Sequence, residues 1–547
     1  MVLLDRRIGL LFALFLVLLL AAGGKAAWLG TVKAGGLKER ALGQQTEDIE
    51  VNARRGTITD RNGVELAVSE DAITVFANPM QVKDPAGAAE KLAPLLGRPR
   101  EAVLEELADS EKGFVYLARK LGPVRGAKVE ELEIEGVGTV TEPKRTYPQG
   151  HMAAQLVGSV GTDNYGLSGI EQQYEDKLGG DDGKRRLVKD AMGKPVSIID
   201  SKRAEAGEDM RLTIDSVLQE RVEAVMGELG QKHLPRAATA VVMDPRSGEL
   251  LALANWPRVD ANDFGAAPEY ARQNRAVTSS YEPGSTFKAF TVAGAIEEGL
   301  IRPGTSFDVP SEILVADRTI GEAHDLGART LTTADILAQS SNVGSVMIGL
   351  KMGKARFDKW VRRFGFGEST GIGLPGEAGG IVPRPADYSG SSLGNMPSGQ
   401  GLAVTPMQMA AGYGALANGG VLHQPHVVAG ERDPGRRVLS ERTAGQVSKM
   451  LEGVLGAGGT AQEASIEGYK LAGKTGTAEK PDPETGGYSD FKFFSSFIGY
   501  APARDPQLLV AVMVDEPQNG YYGAEVAAPA FEKIVSFALP YMRIPPD

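Results

Sequence analysis

A single long apolar segment near the start of the chain constrains the fold more than any other feature of the sequence. Residues Ile8 to Gly24 carry no charged side chain, and the apolar character continues to Leu29. At about 1.5 Å per helical residue, residues 8–29 can cross a hydrocarbon core of about 30 Å. No comparable apolar run follows. The rest of the chain is therefore expected to lie on one side of any membrane that this segment spans.

Two interpretations of the apolar segment follow from the residues. Small residues between Gly23 and Ala27 are typical of a signal-peptide cleavage site, but the apolar run exceeds the usual core of about 7–15 residues. We therefore interpret residues 8–29 as an uncleaved transmembrane anchor. Lys and Arg flank the segment on both sides, so they do not fix its orientation.

The composition excludes several functional classes. The 547 residues carry a formal net charge of −11, so no general attraction to nucleic acid is expected. The chain has no cysteine, which removes disulfides, thiolate metal sites and cysteine nucleophiles. It has only five histidines, so a His-rich metal site is not expected either. We predict neither a metal nor a cofactor.

The sequence pattern changes near residue 207. Residues 45–206 indicate a mixed α+β domain, in which Asp84-Pro85 predicts the start of a helix. Residues 207–547 place strands at both ends and helical patterns between them, which predicts an α/β fold with an antiparallel sheet flanked by helices. The predicted strands form two antiparallel pairs: Ala238–Met243 with Glu249–Ala254, and Phe494–Tyr500 with Leu508–Val514.

The strongest local motif is Ser285-Thr286-Phe287-Lys288, which follows Pro283-Gly284 and opens a helical pattern. Helical residues three apart share a face, so Lys288 can place its amine beside the Ser285 hydroxyl. A desolvated neutral lysine can activate a serine nucleophile. A match of this kind alone is weak, because a serine N-cap followed by an exposed lysine gives the same pattern.

Two further motifs strengthen the hypothesis. Ser340-Ser341-Asn342 lies within an apolar helical pattern that runs from Ala334 to Leu350, where buried polar groups need partners. Lys474-Thr475-Gly476-Thr477 follows a predicted edge strand. There Gly476 would let a ligand backbone approach closely, and Lys474 and Thr475 could bind a carboxylate. Each of these two motifs alone also fits an ordinary helix or strand.

Together, Ser-x-x-Lys, Ser-x-Asn and Lys-Thr-Gly resemble the three-part signature of penicillin-binding proteins and serine β-lactamases. The N-terminal region adds three motifs that resemble those of the non-catalytic domain of class B penicillin-binding proteins. They begin at Arg55, Arg145 and Gly166, and a Gly399-Gln400-Gly401 element lies downstream of the serine–asparagine motif. The resemblance covers nearly the whole chain. It implies a cytoplasmic tail of residues 1–7, a pedestal or dimerisation domain over residues 45–206 and an extracytoplasmic transpeptidase domain over residues 207–547.

The resemblance also implies a mechanism. Ser285 would attack a peptidoglycan stem peptide that ends in D-Ala-D-Ala, and backbone N–H groups of Ser285 and Thr477 would form the oxyanion hole. An amine of a neighbouring stem would then take the acyl group, and β-lactams would acylate the same serine. The implied roles of the other residues are general base for Lys288, proton relay for Ser340, substrate-amide binding for Asn342, and substrate-carboxylate binding for Lys474, Thr475 and Thr477.

The biological role leaves alternatives open. A β-lactamase or D,D-carboxypeptidase would transfer the acyl group to water, and a β-lactam sensor or inactive scaffold would not turn over. Only 16 positions separate Gly150 from Gly166. This compact link resembles the division type rather than the elongation type of class B protein. The division type implies contacts with other divisome membrane proteins and with a polytopic glycan polymerase of the shape, elongation, division and sporulation (SEDS) family.

Overall fold

The computed structural model describes residues 2–31, 46–189, 195–323, 327–482 and 486–546. The chain forms two compact units, each built from separate stretches of sequence. The first comprises Met1–Arg54, Asp71–Pro143 and Gly180–Gly207, and the second comprises Arg55–Glu70, Lys144–Gly179 and Glu208–Asp547. These units interleave along the sequence, and the linear domain limits at 45–206 and 207–547 stay a prediction.

The first unit contains the apolar N-terminal helix Val2–Thr31. Within it, Arg7–Thr31 is long and apolar enough to cross a membrane by length and composition, and none of the residues in its most apolar stretch is buried by the rest of the protein. In the described part of the chain it is the one helix of this kind. The predicted anchor at residues 8–29 therefore coincides with a helix of suitable length.

The rest of the first unit is a small α+β structure. Its apolar core includes Val75, Leu92, Val103 and Leu117. The helix predicted at Asp84-Pro85 is confirmed, because the Asp84 carboxylate accepts the Gly87 N–H at 3.0 Å and caps the helix Pro85–Leu96. The other helices and the strands are Arg100–Ala108, Pro123–Glu130, Thr46–Val51, Val115–Leu121, Gly183–Lys189 and Pro195–Lys202.

Two longer strands, Glu65–Ala77 and Val137–Thr146, each contribute residues to both units. In the first unit, Ile73–Ala77 of the former strand pairs antiparallel with Val115–Leu121. In the second unit, Glu65 and Ala67 pair with the short strand Ile58–Thr59, which runs parallel to Met210–Arg211.

The second unit is organised around a five-stranded antiparallel sheet, which we call the central sheet. Its strands, in spatial order, are Leu250–Trp256, Ala237–Met243, Leu508–Asp515, Gly487–Ala501 and Ala472–Asp482. Both predicted strand pairs are confirmed, with Val241 opposite Leu253 and Ile498 opposite Ala511. The strand Ala472–Asp482 lies at the edge of this sheet. The edge strand was predicted at residues 469–473, before Lys474, whereas the observed strand begins at Ala472 and contains Lys474.

Helices cover both faces of the central sheet, because side chains of opposite parity on one strand contact different helices. The ring centroid of Phe497 lies 4.6 Å from that of Phe531 of the helix Ala528–Tyr541, with the two rings tilted by 53°. Tyr500, which points to the opposite face, is fully buried and lies near Tyr413 of the helix Pro406–Ala417. This layered arrangement confirms the predicted α/β fold.

The remaining helices and strands of the second unit surround this layer. The helices of six or more residues are Ser216–His233, Lys288–Glu297, Thr333–Ala338, Asn342–Met352, Lys354–Arg363 and Glu441–Leu455. The shorter helices are Ala154–Val157, Gly169–Gln173, Glu175–Leu178, Glu269–Arg272, Arg275–Thr278, Ser392–Asn395 and Gly523–Val526. The short strands are Ser306–Val309, Glu312–Val315, Arg318–Gly321, Arg329–Thr332, Val421–Leu422 and Arg436–Arg437.

The three N-terminal motifs meet in the second unit through a buried ion cluster. Glu171 accepts hydrogen bonds from Arg55 Nε at 3.0 Å and from Arg145 Nε at 2.6 Å, and all three side chains are almost completely buried. Arg55 also pairs with Glu175 at 2.9 Å, and Arg145 Nη1 donates to the Gly56 carbonyl at 2.8 Å. The Arg55 motif therefore packs against two motifs that lie about a hundred residues later in the sequence.

Candidate active site

Ser285 lies in a short 3-10 turn, Gly284–Phe287, directly before the helix Lys288–Glu297. Gly284, Thr286 and Phe287 are buried, whereas Ser285 is partly exposed. The turn is fixed by hydrogen bonds from Gly284 N–H to the Gly399 carbonyl at 3.0 Å and from the Tyr413 hydroxyl to the Thr286 carbonyl at 2.7 Å. A rigid and buried turn therefore presents one accessible hydroxyl. The hydrogen bond to Gly399 also shows that the Gly399-Gln400-Gly401 element contacts the turn that carries Ser285.

The Lys288 side chain is fully buried. Its Nζ donates to the Ser340 carbonyl at 2.6 Å, to Asn342 Oδ1 at 2.6 Å and to Ser340 Oγ at 3.3 Å. The predicted neighbour, the Ser285 hydroxyl, is not among these partners in the described structure. Helical spacing alone did not reveal this, because the competing acceptors come from a segment more than fifty residues later.

Ser340 occupies a break between two helices rather than the interior of one. The helical pattern predicted over Ala334–Leu350 is divided into Thr333–Ala338 and Asn342–Met352, so the prediction of one continuous helix is wrong. Ser340 adopts a φ of +61°, a conformation that L-residues rarely populate, and Ser341 then caps the second helix. The break turns the Ser340 hydroxyl and carbonyl toward the two lysines.

Lys474 reaches the same hydroxyl from the edge strand. Its Nζ donates to Ser340 Oγ at 2.9 Å and is fully buried. The next residue, Thr475, shares a hydrogen bond of 2.8 Å between its Oγ1 and Thr460 Oγ1. Thr477 Oγ1 accepts the Gly523 N–H at 3.0 Å. The three predicted motifs therefore converge on one site in the second unit.

Gly476 has a packing role inside the protein. A Cβ at this position would lie 3.0 Å from the Pro283 carbonyl oxygen and 3.0 Å from a methyl group of Thr286, and it would collide with Ser496 Oγ. The absent side chain therefore lets the edge strand approach the Ser285 turn. From the sequence, Gly476 was expected to let a ligand backbone approach closely. In the structure, the atoms that a side chain at residue 476 would meet belong to Ser496, Pro283 and Thr286 of the protein.

Burial controls the charge of the two lysines. Removal from water lowers the pKa of the Lys288 amine to about 7, although the nearby Glu322 carboxylate acts in the opposite direction. Burial lowers the pKa of Lys474 well below its ordinary value, and the charge of Lys288 lowers it further. Because both amines contact Ser340 Oγ, two full charges there are unfavourable. The burial of Lys288 supports the hypothesis that a desolvated, neutral lysine is available beside the motif.

Two contacting residues were missed by the sequence analysis. Glu322 binds the Ser341–Asn342 turn, and Thr460 binds Thr475. Neither belongs to a motif with its own chemical signature. Thr460 does follow Gly458-Gly459, which marks a turn, but only the fold brings this turn to the edge strand.

Comparison with known proteins identifies the class that this fold and site define. Residues 238–536 match the penicillin binding protein transpeptidase domain, and residues 50–212 match the penicillin-binding protein dimerisation domain. The transpeptidase match alone covers more than half of the chain. The chain therefore belongs to the penicillin-binding proteins, and the two domains together define class B.

Individual relatives agree with this assignment. The chain is 34% identical to the probable peptidoglycan D,D-transpeptidase PbpC of Pseudomonas aeruginosa, over 99% of this chain and 96% of that protein. It is 32% identical to the peptidoglycan D,D-transpeptidase FtsI of Escherichia coli, over 99% and 92%. The crystal structure of penicillin-binding protein 3 from Mycobacterium tuberculosis in complex with aztreonam is similar with a TM-score of 0.71 and 30% identity. That match covers 91% of this chain and 98% of the other. The predictions of the family and of its transpeptidase class are confirmed.

Proposed function

We propose that this enzyme cross-links peptidoglycan stem peptides through an acyl-enzyme on Ser285. The observation that carries the assignment of residues is the position of Ser340 Oγ, which lies within hydrogen-bond distance of both Lys288 Nζ and Lys474 Nζ. This joins the three motifs in one chain of proton donors and acceptors. The accessible Ser285 hydroxyl at the start of a helical segment is the group left to react.

The first half-reaction forms an ester and releases D-alanine. Ser285 Oγ attacks the carbonyl carbon of the penultimate D-Ala, and its proton passes to the neutral amine of Lys288. The Ser285 backbone N–H lies in the first turn of a helical segment, where N–H groups have no intrahelical acceptor, so it can bind the developing oxyanion with the Thr477 N–H. The peptide C–N bond breaks, and the amine of the leaving D-Ala takes a proton through the Ser340 hydroxyl.

The remaining groups hold the substrate. Asn342 binds the substrate amide, and Lys474 with Thr475 and Thr477 binds the terminal carboxylate. In the second half-reaction the amine of another stem attacks the ester carbonyl and loses a proton. Ser285 regains its proton as the ester bond breaks. A β-lactam would open its ring on the same Ser285 and leave a longer-lived ester.

The proposed location is the cytoplasmic membrane, with residues 8–29 as a single anchor and the catalytic unit outside the cytoplasm. The apolar helix and the similarity to FtsI support this placement. Protease treatment of spheroplasts followed by immunoblotting would test this placement. The protease should digest the catalytic unit but not the first seven residues. A cleaved signal peptide would instead release a soluble protein that lacks the helix.

The proposed biological role is septal wall synthesis with a polytopic polymerase of the SEDS family and other divisome membrane proteins. Support comes from the similarity to FtsI and from the short link between Gly150 and Gly166. Depletion of the protein tests the role in cells. Filaments without septa are expected, whereas rounded cells that still divide would assign the protein to elongation.

A pulse of fluorescent penicillin followed by a chase with unlabelled penicillin tests the chemistry. Label should remain on the protein through the chase, because a transpeptidase ester hydrolyses slowly. Rapid loss of label would indicate a β-lactamase or carboxypeptidase, and failure to label at all would indicate a scaffold without activity.

A further inference from the structure

Glu322 holds the turn that carries Asn342. Its Oε2 accepts a hydrogen bond from the Asn342 backbone N–H at 2.7 Å, and its Oε1 accepts one from the Ser341 hydroxyl. The preceding carbonyl, that of Gly321, accepts a hydrogen bond from Asn342 Nδ2 at 3.2 Å. Two consecutive residues from one strand end thus bind both the backbone and the side chain of Asn342.

These contacts fix the direction of the Asn342 amide. With one Nδ2 hydrogen on the Gly321 carbonyl, Oδ1 points to Lys288 Nζ at 2.6 Å. The second Nδ2 hydrogen stays available for a substrate carbonyl. The same turn includes Ser340, whose carbonyl accepts from Lys288 Nζ at 2.6 Å. Glu322 therefore helps to position the two acceptors of the shortest Lys288 hydrogen bonds, the Ser340 carbonyl and Asn342 Oδ1.

We propose that Glu322 is a positioning residue for the acylation of Ser285: it fixes the Ser340–Asn342 turn that orients the Lys288 amine. The proposal rests on the proposed function, because it assumes that Lys288 is the base. Glu322 does not contact the reacting hydroxyl and acts through Ser341 and Asn342. Its carboxylate also provides a negative charge close to the buried amine of Lys288.

The charges around Lys288 give the proposal a second measurable consequence. The strand end at Gly321 contributes Glu322, whose charge favours the protonated form of Lys288, and the edge strand contributes Lys474, whose own pKa is lowered by burial and by the charge of Lys288. The Ser340–Asn342 turn contributes neutral groups. Loss of the Glu322 charge should lower the pKa of Lys288, so its neutral form would persist to lower pH.

The test measures the rate constant of acylation by fluorescent penicillin as a function of pH in the full chain. In Glu322→Gln one acceptor oxygen is replaced by an NH₂ group that cannot accept from Ser341 or Asn342. We expect the plateau rate constant to fall about 10- to 100-fold, since small misplacements of catalytic groups have effects of this size. The acid-side midpoint should also move to lower pH.

Two variants serve as controls. Glu322→Asp keeps the charge but shortens the side chain, so the plateau should fall while the midpoint stays near that of the wild type. Glu312→Gln removes one negative charge from the neighbouring strand, where Glu312 is exposed and opposite Gly321. Glu312→Gln should alter neither the plateau rate constant nor the acid-side midpoint. Thermal unfolding of each variant checks the fold. If Glu322→Gln fails to fold, Glu322→Asp carries the test, and a folded Glu322→Asp variant with the wild-type plateau would overturn the proposal.

Each outcome has a defined meaning. A Glu322→Gln variant with wild-type plateau and midpoint would overturn the proposal. A reduced plateau without a shifted midpoint in Glu322→Gln, or a Glu312→Gln variant that behaves like it, would also overturn it, because a general structural defect would then explain the loss. Failure of the proposed function looks different: the wild type would not be labelled, or Ser285→Ala would still be labelled.

Discussion

The hydroxyl oxygen of Ser340 lies 2.9 Å from the amine of Lys474, although the two residues are 134 positions apart in the sequence. The same oxygen lies 3.3 Å from the amine of Lys288. The Ser340 hydroxyl can donate its own proton to an amine only if that amine is neutral, so proton transfer through Ser340 requires at least one neutral lysine. The geometry thus connects the depressed lysine pKa values directly to proton transfer.

Replacement of Ser340 by alanine should slow acylation while leaving the fold intact. The variant removes the hydroxyl that links the two amines, and loss of a positioned proton-transfer group typically costs about 10²- to 10⁴-fold in rate. Stopped-flow measurement of β-lactam acylation checks this. Ser345→Ala is a matched control, because Ser345 Oγ donates to the Ser341 carbonyl at 2.9 Å and contacts neither lysine. Equal rates in Ser340→Ala and the wild type would remove Ser340 from the mechanism.

Substitution Lys288→Arg should reduce acylation by orders of magnitude. Arginine keeps a positive charge but does not release its proton at accessible pH, so it cannot act as the base. Lys351→Arg, on the helix Asn342–Met352, is a control for the chemical change at an exposed position. The labelling rate and circular dichroism should be measured together. A folded Lys288→Arg variant with a near wild-type rate would make Lys288 a structural cation.

The rate of acylation should rise with pH through a midpoint near 7. In the proposed mechanism the reactive form has a neutral Lys288, and burial lowers the pKa of this amine to about 7. Below that value the amine is protonated and the rate should fall about tenfold per pH unit. Because the pKa is lower in the folded than in the unfolded state, protonation of Lys288 also disfavours folding below about pH 10.5, and its contribution to stability rises with pH between about 7 and 10.5. A flat rate profile between pH 5 and 9 would argue against Lys288 as the titrating group.

The buried ion cluster around Glu171 should contribute strongly to stability. Arg55→Met leaves the Glu171 carboxylate without one of its two arginine partners, and breaking a buried pair on one side costs about 3–5 kcal/mol. The neighbouring Arg54 forms an ion pair with Asp71 in which both side chains are more than half exposed. Arg54→Met should therefore cost less than about 1 kcal/mol. Urea denaturation of both variants measures the difference, and equal midpoints would show that the buried cluster is not stabilising.

The parts of the fold that local chemistry determines were predicted well. Asp84-Pro85 starts a helix because a carboxylate cap and a proline both suit its first turn, and the strands around Val241 and Ile498 follow from apolar runs bounded by turns. Ser340 was placed inside a helix, because the apolar residues around it keep helical spacing on both sides of the break. Tertiary contacts of Ser340 and the Ser341 cap favour the left-handed conformation there, and no periodicity encodes them.

The site was predicted as a set of residues but not as a set of contacts. The three motifs name Ser285, Ser340 and Lys474, and the fold brings them together. The partners of Lys288 depend on a turn contributed by a different helix, and Glu322 comes from a strand end without a distinctive pattern. Side-chain partners of this kind depend on long-range packing, so sequence spacing did not indicate them.

Covalent labelling of Ser285 is the measurement that tests the central claim most directly. Wild-type protein and Ser285→Ala are incubated with penicillin, digested and examined by mass spectrometry, with circular dichroism to confirm that both are folded. The account predicts one penicilloyl adduct on the wild-type peptide that contains Ser285, and no adduct in the variant. An adduct on another residue, or undiminished labelling of a folded Ser285→Ala variant, would contradict it.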